Sequence, residues 1–351
     1  MTPRLHVVLG AGGVGKTTLA AGYALALARG EGRRVGLLGI DPSRRLKDAL
    51  GIALGDVDAT VPGAGALRAA LLQPADSVRR WATEASRDPA ALQRLFANPF
   101  FAALADRLAT ATDIVAAARV AEWSERDPGL TDLVVDTAPG LNAIEFLTRP
   151  ERVANFLGGR MVGWLRWLAR EPTGGSQGLL RGGARRVFGG LVRLGGSRML
   201  SDLADFFSLV EEMFSRRLAR VQTTQRWLHD PSTELLIVTS VRDDGAQTAR
   251  DLARALAEAG LVPRAVVVNR ALPAELAAQK APLAAAASSG PEAAAVIRYA
   301  LAYVAIQARV VDAVTGLAAT TLIVPDARGL DADARLETLA GIGQVVRAGL
   351  E

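Results

Sequence analysis

An α/β fold is what the sequence predicts: a doubly wound, mostly parallel sheet with a phosphate-binding loop (P-loop), plus an α-helical insertion. Three observations lead there. Short aliphatic runs ending in Gly, Asp or Asn alternate with longer helical stretches, the pattern of a parallel sheet covered by helices. The runs are almost wholly apolar rather than alternating, as strands buried on both faces must be. A glycine-rich "GAGGVGKT" (10–17) stands between the first run and the first helical stretch.

The strands are expected at 5–10, 34–41, 67–73, 132–140, 234–240, 264–270 and 320–325. Helices are expected at 16–29, 90–125, 245–259 and 291–312. Residues 145–232 break the alternation. Two amphipathic stretches, "GRMVGWLRWLAR" (159–170) and "RMLSDLADFFSLVEEMFSRRLARV" (198–221), flank a segment with nine glycines between 171 and 197. Apolar residues recur there at helical spacing. The domain reading is therefore a P-loop nucleotide-binding domain from 1–144 and 233–351, with a helical insertion at 145–232 between its halves.

The 351 residues are half apolar, enough for a substantial core. The chain has no cysteine, which excludes disulfides, cysteine zinc sites and thiolate binding of metalloids. Of 41 basic residues only Lys16, Lys47 and Lys280 are lysines, and the net charge is +5. Residues 149–234 hold 14 arginines against 8 acidic residues, so one segment carries the whole excess. Such asymmetry marks a binding surface or a solvated arginine-rich face. The N-terminus runs straight into a strand and no 18-residue apolar run is seen. Neither a signal peptide nor a membrane span is expected, and the expected location is cytoplasmic or peripheral at a membrane. His6 and His229 lack ligand spacing and read as structural.

The chemistry-bearing motif is "GAGGVGKT". It follows a strand and opens a helix, as a phosphate loop requires. Backbone N–H groups of Gly12, Gly13, Val14 and Gly15 can cradle phosphates, and the helix N-terminus adds partial positive charge. Lys16 can reach the β- and γ-phosphates; Thr17 can ligate Mg²⁺, with Thr18 beside it. In "VVDTAPG", Asp136 ends an apolar strand, where open α/β sheets bind ligands; it can hold Mg²⁺ through water. Gly140 leaves room for an N–H facing the γ-phosphate. In "LLGIDPS", Asp41 ends another strand. It either orients an attacking water or caps the turn before Pro42.

Together "GAGGVGKTT", "IDPSRRLKDALG" and "DTAPG" resemble the ArsA-type ATPases, which include the arsenite-pump ATPase and the ATPase that delivers tail-anchored membrane proteins. "LLQPADSVRRW", "ELLIVTSVRDD", "VVVNRALP" and "LIVPDARG" continue the likeness in order. The resemblance implies ATP/ADP and Mg²⁺ as cofactors, with phosphate binding by Gly12, Gly13, Gly15, Lys16, Thr17 and Thr18. It implies Asp41 in a first switch, Asp136 in a second, Asn269 bonded to adenine, and Pro325 opening the loop beside the base. Lys16, Asp41 and Asp136 would carry catalysis. In this family the helical insert after the second switch binds the client, the place of 145–232 here.

There are three departures. Ala11 stands where relatives carry a lysine that crosses a nucleotide-bridged dimer; without it, binding should persist and hydrolysis slow. Arg44 and Arg45 are candidate replacements, as is a lysine-bearing paralogue. The lack of cysteine removes the zinc clamp and the metalloid site. "SVRDDG" lacks the proline and glutamate of relatives, so Asp243 and Asp244 receive no role. The expectation is an ATPase, weak on its own, working as a homodimer or as a heterodimer with a paralogue. It would use 145–232 to hold an apolar protein client or a membrane-associated partner, with no zinc and no nucleic acid. The alternatives are a slow regulatory subunit and a MinD- or ParA-like positioning ATPase.

Overall fold

The computed structural model describes residues 3–41, 43–85, 88–97, 112–140, 217–242, 244–273, 275, 279–286, 290–326 and 335–351. The expected insertion therefore lies outside the described residues up to 216. The chain divides into two compact units. One comprises Met1–Gln73, Arg119–Thr148 and Thr224–Glu351; the other comprises Pro74–Ala118 and Arg149–Thr223. The second thus takes in 74–118, which the sequence reading kept with the nucleotide-binding domain, while 224–232 falls to the first.

The first unit contains the sheet, an eight-stranded β3-β4-β2-β5-β1-β6-β7-β8 array. Its strands are β1 (Arg4–Gly10), β2 (Val35–Gly39), β3 (Ala59–Thr60), β4 (Leu67–Leu71), β5 (Asp132–Asp136), β6 (Glu234–Ser240), β7 (Ala265–Ala271) and β8 (Thr320–Pro325). Every pairing is parallel except β3 with β4. Seven strands lie where expected. β3 was not anticipated, because two residues on an edge carry no periodic signal. The strand expected at 132–140 stops at Asp136, and 137–140 turn back towards β1.

The sheet is buried on both faces along β1, β2, β5 and β6, which explains their unbroken aliphatic sequence. Fully burying each of Val7, Val8 and Leu9 contributes about 1.5–3 kcal/mol. The first helix, α1 (Lys16–Ala28), is buried on almost every side. Its second cover is the C-terminal helix Arg335–Leu350, on which Val346 and Leu350 join the same core as Leu19 and Tyr23. A Cβ on Gly22 would run into the Leu339 carbonyl, and one on Gly343 into the Gly22 carbonyl. The glycines scattered through the C-terminal segment let the two backbones meet, which fixes the helix that follows the phosphate loop.

Helices at Pro89–Ala97 and Thr112–Arg126 overlap the one expected at 90–125. Those at α2 (Arg45–Leu50), Pro74–Ala85 and Lys280–Ala286 were not expected. Residues 217–228 are helical. The helix Pro291–Val314 bears on the expectation of no membrane span without overturning it. Its 294–314 stretch is long and apolar enough to cross a membrane by length and composition, and it is mostly exposed. A search for uninterrupted apolar runs misses it, because Arg298, Arg309 and Asp312 punctuate it.

Candidate nucleotide-binding site

The chain leaves β1 at the centre of the sheet, between β5 and β6, at a point where successive connections depart in opposite directions. This is where open α/β sheets place their ligands, outside the carboxyl ends of the strands. The loop 11–15 then turns into α1. Gly12 and Gly13 are exposed, whereas the Val14 side chain is buried in the core, so Val14 offers its backbone alone to the site. Gly15 caps α1 at φ 95°, a left-handed conformation natural to glycine. Any Cβ there would also strike the Asn269 amide.

Lys16 is buried at 6% exposure and donates from Nζ to the Ala11 carbonyl at 2.9 Å, spanning the loop. Burial lowers its pKa; the nearby Asp136 and Asp41 carboxylates oppose that and favour the cation. Thr17 is half-buried and hydrogen-bonded to the Asp136 carboxylate, and Thr18 is exposed.

β5 brings Asp136 beside β1, in register with Val8 on one side and Gly39 on the other. Its side chain is 2% exposed, and Oδ1 has no hydrogen-bond partner among the described residues. Burial pushes its pKa up to about 6, against the pull of the Thr17 bond and the Lys16 charge. An orphaned carboxylate oxygen beside a threonine hydroxyl fits Mg²⁺, which needs few protein ligands when phosphates and waters supply the rest. Thr17 would hold the ion directly and Asp136 through water, and the ion would neutralise charge on the β- and γ-phosphate oxygens. No cluster of three His, Asp or Glu suited to a metal occurs among the described residues.

Asp136 carries a testable cost. An acid whose folded pKa rises above its unfolded value loses stability as pH climbs from about 4 through about 6. At neutral pH the buried charge therefore costs about 3 kcal/mol, at 1.36 kcal/mol per unit. Asp136→Asn is expected to raise the melting temperature at pH 7 by several degrees and abolish Mg²⁺-dependent nucleotide turnover. Thermal melts at pH 4 and pH 7 check it, since the gain should vanish at the lower pH.

Asp41 follows β2, half-buried, and its Oδ1 accepts the Ser43 N–H at 3.0 Å. It is both a turn aspartate and near enough to influence Lys16 and Asp136 electrostatically. Arg45, at the start of α2, acts on both groups in the opposite sense, which distinguishes it from Arg44 as the nearby cation. Gly140, read as leaving room for an N–H at the γ-phosphate, donates its own N–H to the Gly10 carbonyl at 3.0 Å. The turn after Asp136 folds that N–H onto the phosphate loop, while Thr137 is anchored through Oγ1 to the Val8 carbonyl at 2.7 Å.

Asn269, near the end of β7, is two strands from β1 yet reaches the loop: its Nδ2 donates to the Val14 carbonyl at 2.9 Å. Pro325 ends β8 in register with Ala271, at the same carboxyl end of the sheet as Asn269; residues 327–334 beyond it are outside the described residues. Sequence reasoning missed Thr239 and Ser240, whose buried hydroxyls lack hydrogen-bond partners among the described residues. They close the strand between β1 and Asn269, and "VTS" after an aliphatic run was the available signal.

A parallel sheet with this loop, a buried lysine and an acidic strand end beside it defines a P-loop nucleotide-binding protein. The chain belongs to the ArsA-type, anion-transporting ATPase family, which it matches over residues 4–288. It is also 29% identical over 290 residues to the uncharacterized protein SCO2128 of Streptomyces coelicolor, with 77% of this chain aligned. The alignment spans 63% of that protein's length.

Proposed function

We propose that the protein binds ATP with Mg²⁺, hydrolyses it slowly, and uses its nucleotide state to control an apolar client-binding surface in 145–232. The observation that carries this reading is the paired Thr17 hydroxyl and Asp136 carboxylate, buried beside Lys16, with one carboxylate oxygen left without a partner. A glycine-rich turn without a ligand has no use for so costly a charge. Asn269 supports adenine as the base, because its amide is anchored to the loop and its carbonyl end is available to an exocyclic amine. Asp41 is assigned to orient water, and Pro325 to border the base.

Control of a client follows from differential affinity: the client must bind one nucleotide state better than the other. The arginine excess of 149–234 suits an acidic client or an anionic membrane face. The working form in this reading is a nucleotide-bridged homodimer or a heterodimer with a paralogue, cytoplasmic or peripheral at a membrane. Hydrogen exchange across 145–232 tests it. Protection is expected to differ between a non-hydrolysable ATP analogue and ADP, and identical exchange in the two states would contradict the carrier reading.

A second reading, a regulatory subunit with little turnover, is favoured by Ala11, whose small side chain offers no charge to a partner's phosphates. Appreciable hydrolysis by the purified chain alone would eliminate it.

A further inference from the structure

The parallel pairing of β7 with β8 is interrupted once. Val268 pairs with Ile323 and Ala271 with Pro325, so β7 takes three steps where β8 takes two. The extra residue lies in the Asn269–Arg270 pair. Arg270 has φ 57°, the left-handed region, and is alone among the described non-glycine residues in doing so. Bulges are uncommon in parallel pairs, and they re-aim a side chain. Asn269 lies in this irregularity, still in register with Ser240 of β6, and its amide donates to the Val14 carbonyl.

An arginine in this conformation needs support from its surroundings. The helix Pro291–Val314 supplies it through two residues four apart, hence on one face. The Tyr303 hydroxyl donates to the Arg270 carbonyl at 2.7 Å. Gln307, only 6% exposed, bonds both backbone groups of Leu272: its Oε1 accepts the Leu272 N–H at 2.7 Å and its Nε2 donates to the Leu272 carbonyl at 3.4 Å. The Asp326 N–H completes the hold on the Ala271 carbonyl at 2.9 Å. Gln307 is a lone amide on the buried side of a largely aliphatic helix, where packing alone would favour leucine.

We propose that Tyr303 and Gln307 are positioning residues for base recognition. They lock the bulge that aims Asn269, and so set selectivity for the nucleoside without touching the phosphates. The inference rests on the reading of Asn269 as the base-binding residue and adds the device that holds it in place. The Tyr303 and Gln307 contacts lie at the base end of the site. Their loss should therefore weaken a nucleotide while leaving a base-free triphosphate unaffected.

The test is titration calorimetry of the full chain with Mg·ATP and with Mg·tripolyphosphate. Tyr303→Phe, which keeps the ring and its packing, is expected to weaken ATP about tenfold, the worth of one hydrogen bond, with tripolyphosphate affinity unchanged. Adding Arg270→Gly, which adopts the same φ without support, should restore ATP affinity in the Tyr303→Phe background. Gln307→Leu should act in the same direction as Tyr303→Phe. Equal losses for both ligands would mean a structural role and overturn the proposal, as would no loss for either or failure of Arg270→Gly to rescue. Asn269→Ala separates the underlying reading. If it leaves the ATP-to-tripolyphosphate ratio intact, base reading by Asn269 fails and the positioning role with it. If it collapses the ratio while Tyr303→Phe does not, the positioning role alone fails.

Discussion

Replacing Lys16 with alanine is expected to lower the rate of ATP hydrolysis by roughly 10²–10³, the cost of removing one preorganised charged donor from a phosphoryl-transfer site. The lysine is unusually well placed for that role. It is buried, its ammonium is tied to the Ala11 carbonyl, and Asp136 and Asp41 oppose the lowering of its pKa by burial. The Ala11 carbonyl is neutral, so a phosphate competes with it at little cost. The substitution also removes the cation that partly offsets burial of Asp136, raising that carboxyl's pKa further. Single-turnover hydrolysis and nucleotide affinity, measured side by side, check the expectation. A Lys16→Ala chain with unchanged single-turnover rate would remove Lys16 from the chemistry.

The second large effect belongs to the opposite end of the sheet. His6 on β1 is wholly buried, with a carboxylate on each ring nitrogen: Asp132 at 3.0 Å from Nε2 and Glu234 at 2.8 Å from Nδ1. Tyr23 of α1 stacks edge-on against the imidazole and donates to Glu234 at 2.9 Å. Arg33 reaches Asp132 at 3.2 Å, and Arg264 adds positive potential at Glu234. Burial alone would push the His6 pKa down; the hydrogen bonds and charges of Asp132 and Glu234 outweigh it and raise it. Burial likewise works against both carboxylates, yet their pKa values are lowered, chiefly by His6.

The signs give a defined pH window. A histidine with a raised folded pKa contributes stability that is complete below its unfolded pKa, about 6.5, and is lost as pH rises through the folded value. The two acids contribute stability above their unfolded values, near 4, which is lost on acidification. His6→Gln leaves Asp132 and Glu234 buried without the cation, and breaking such a pair costs about 3–5 kcal/mol. Denaturant melts across pH 5–9 should show that loss near neutrality, together with a flatter alkaline decline in the variant. An unchanged pH profile would mean that His6 is neutral in the folded chain.

The nucleotide site and the His6 cluster differ in how far the sequence discloses them. The phosphate loop was legible because its residues are consecutive and its strand-then-helix setting is local. Asp136 was legible because an aspartate ending an unbroken aliphatic strand has few other uses. The His6 cluster was not, since Asp132 and Glu234 lie 126 and 228 residues away and only the parallel register brings them together. The aim of Asn269 depends on one extra residue in β7 relative to β8, a count that no periodicity records. The C-terminal helix was not among the helices expected, and the part Gly343 plays in its close packing on α1 could not be read from the chain alone.

The most direct test of the central claim is calorimetric titration of the purified chain with ATP in the presence of Mg²⁺. Saturable uptake at one site per chain is expected, competed by tripolyphosphate and lost or greatly weakened in Lys16→Ala. No heat of binding for ATP or GTP, or equal binding by the two chains, would contradict the assignment of residues 10–18 as a triphosphate site.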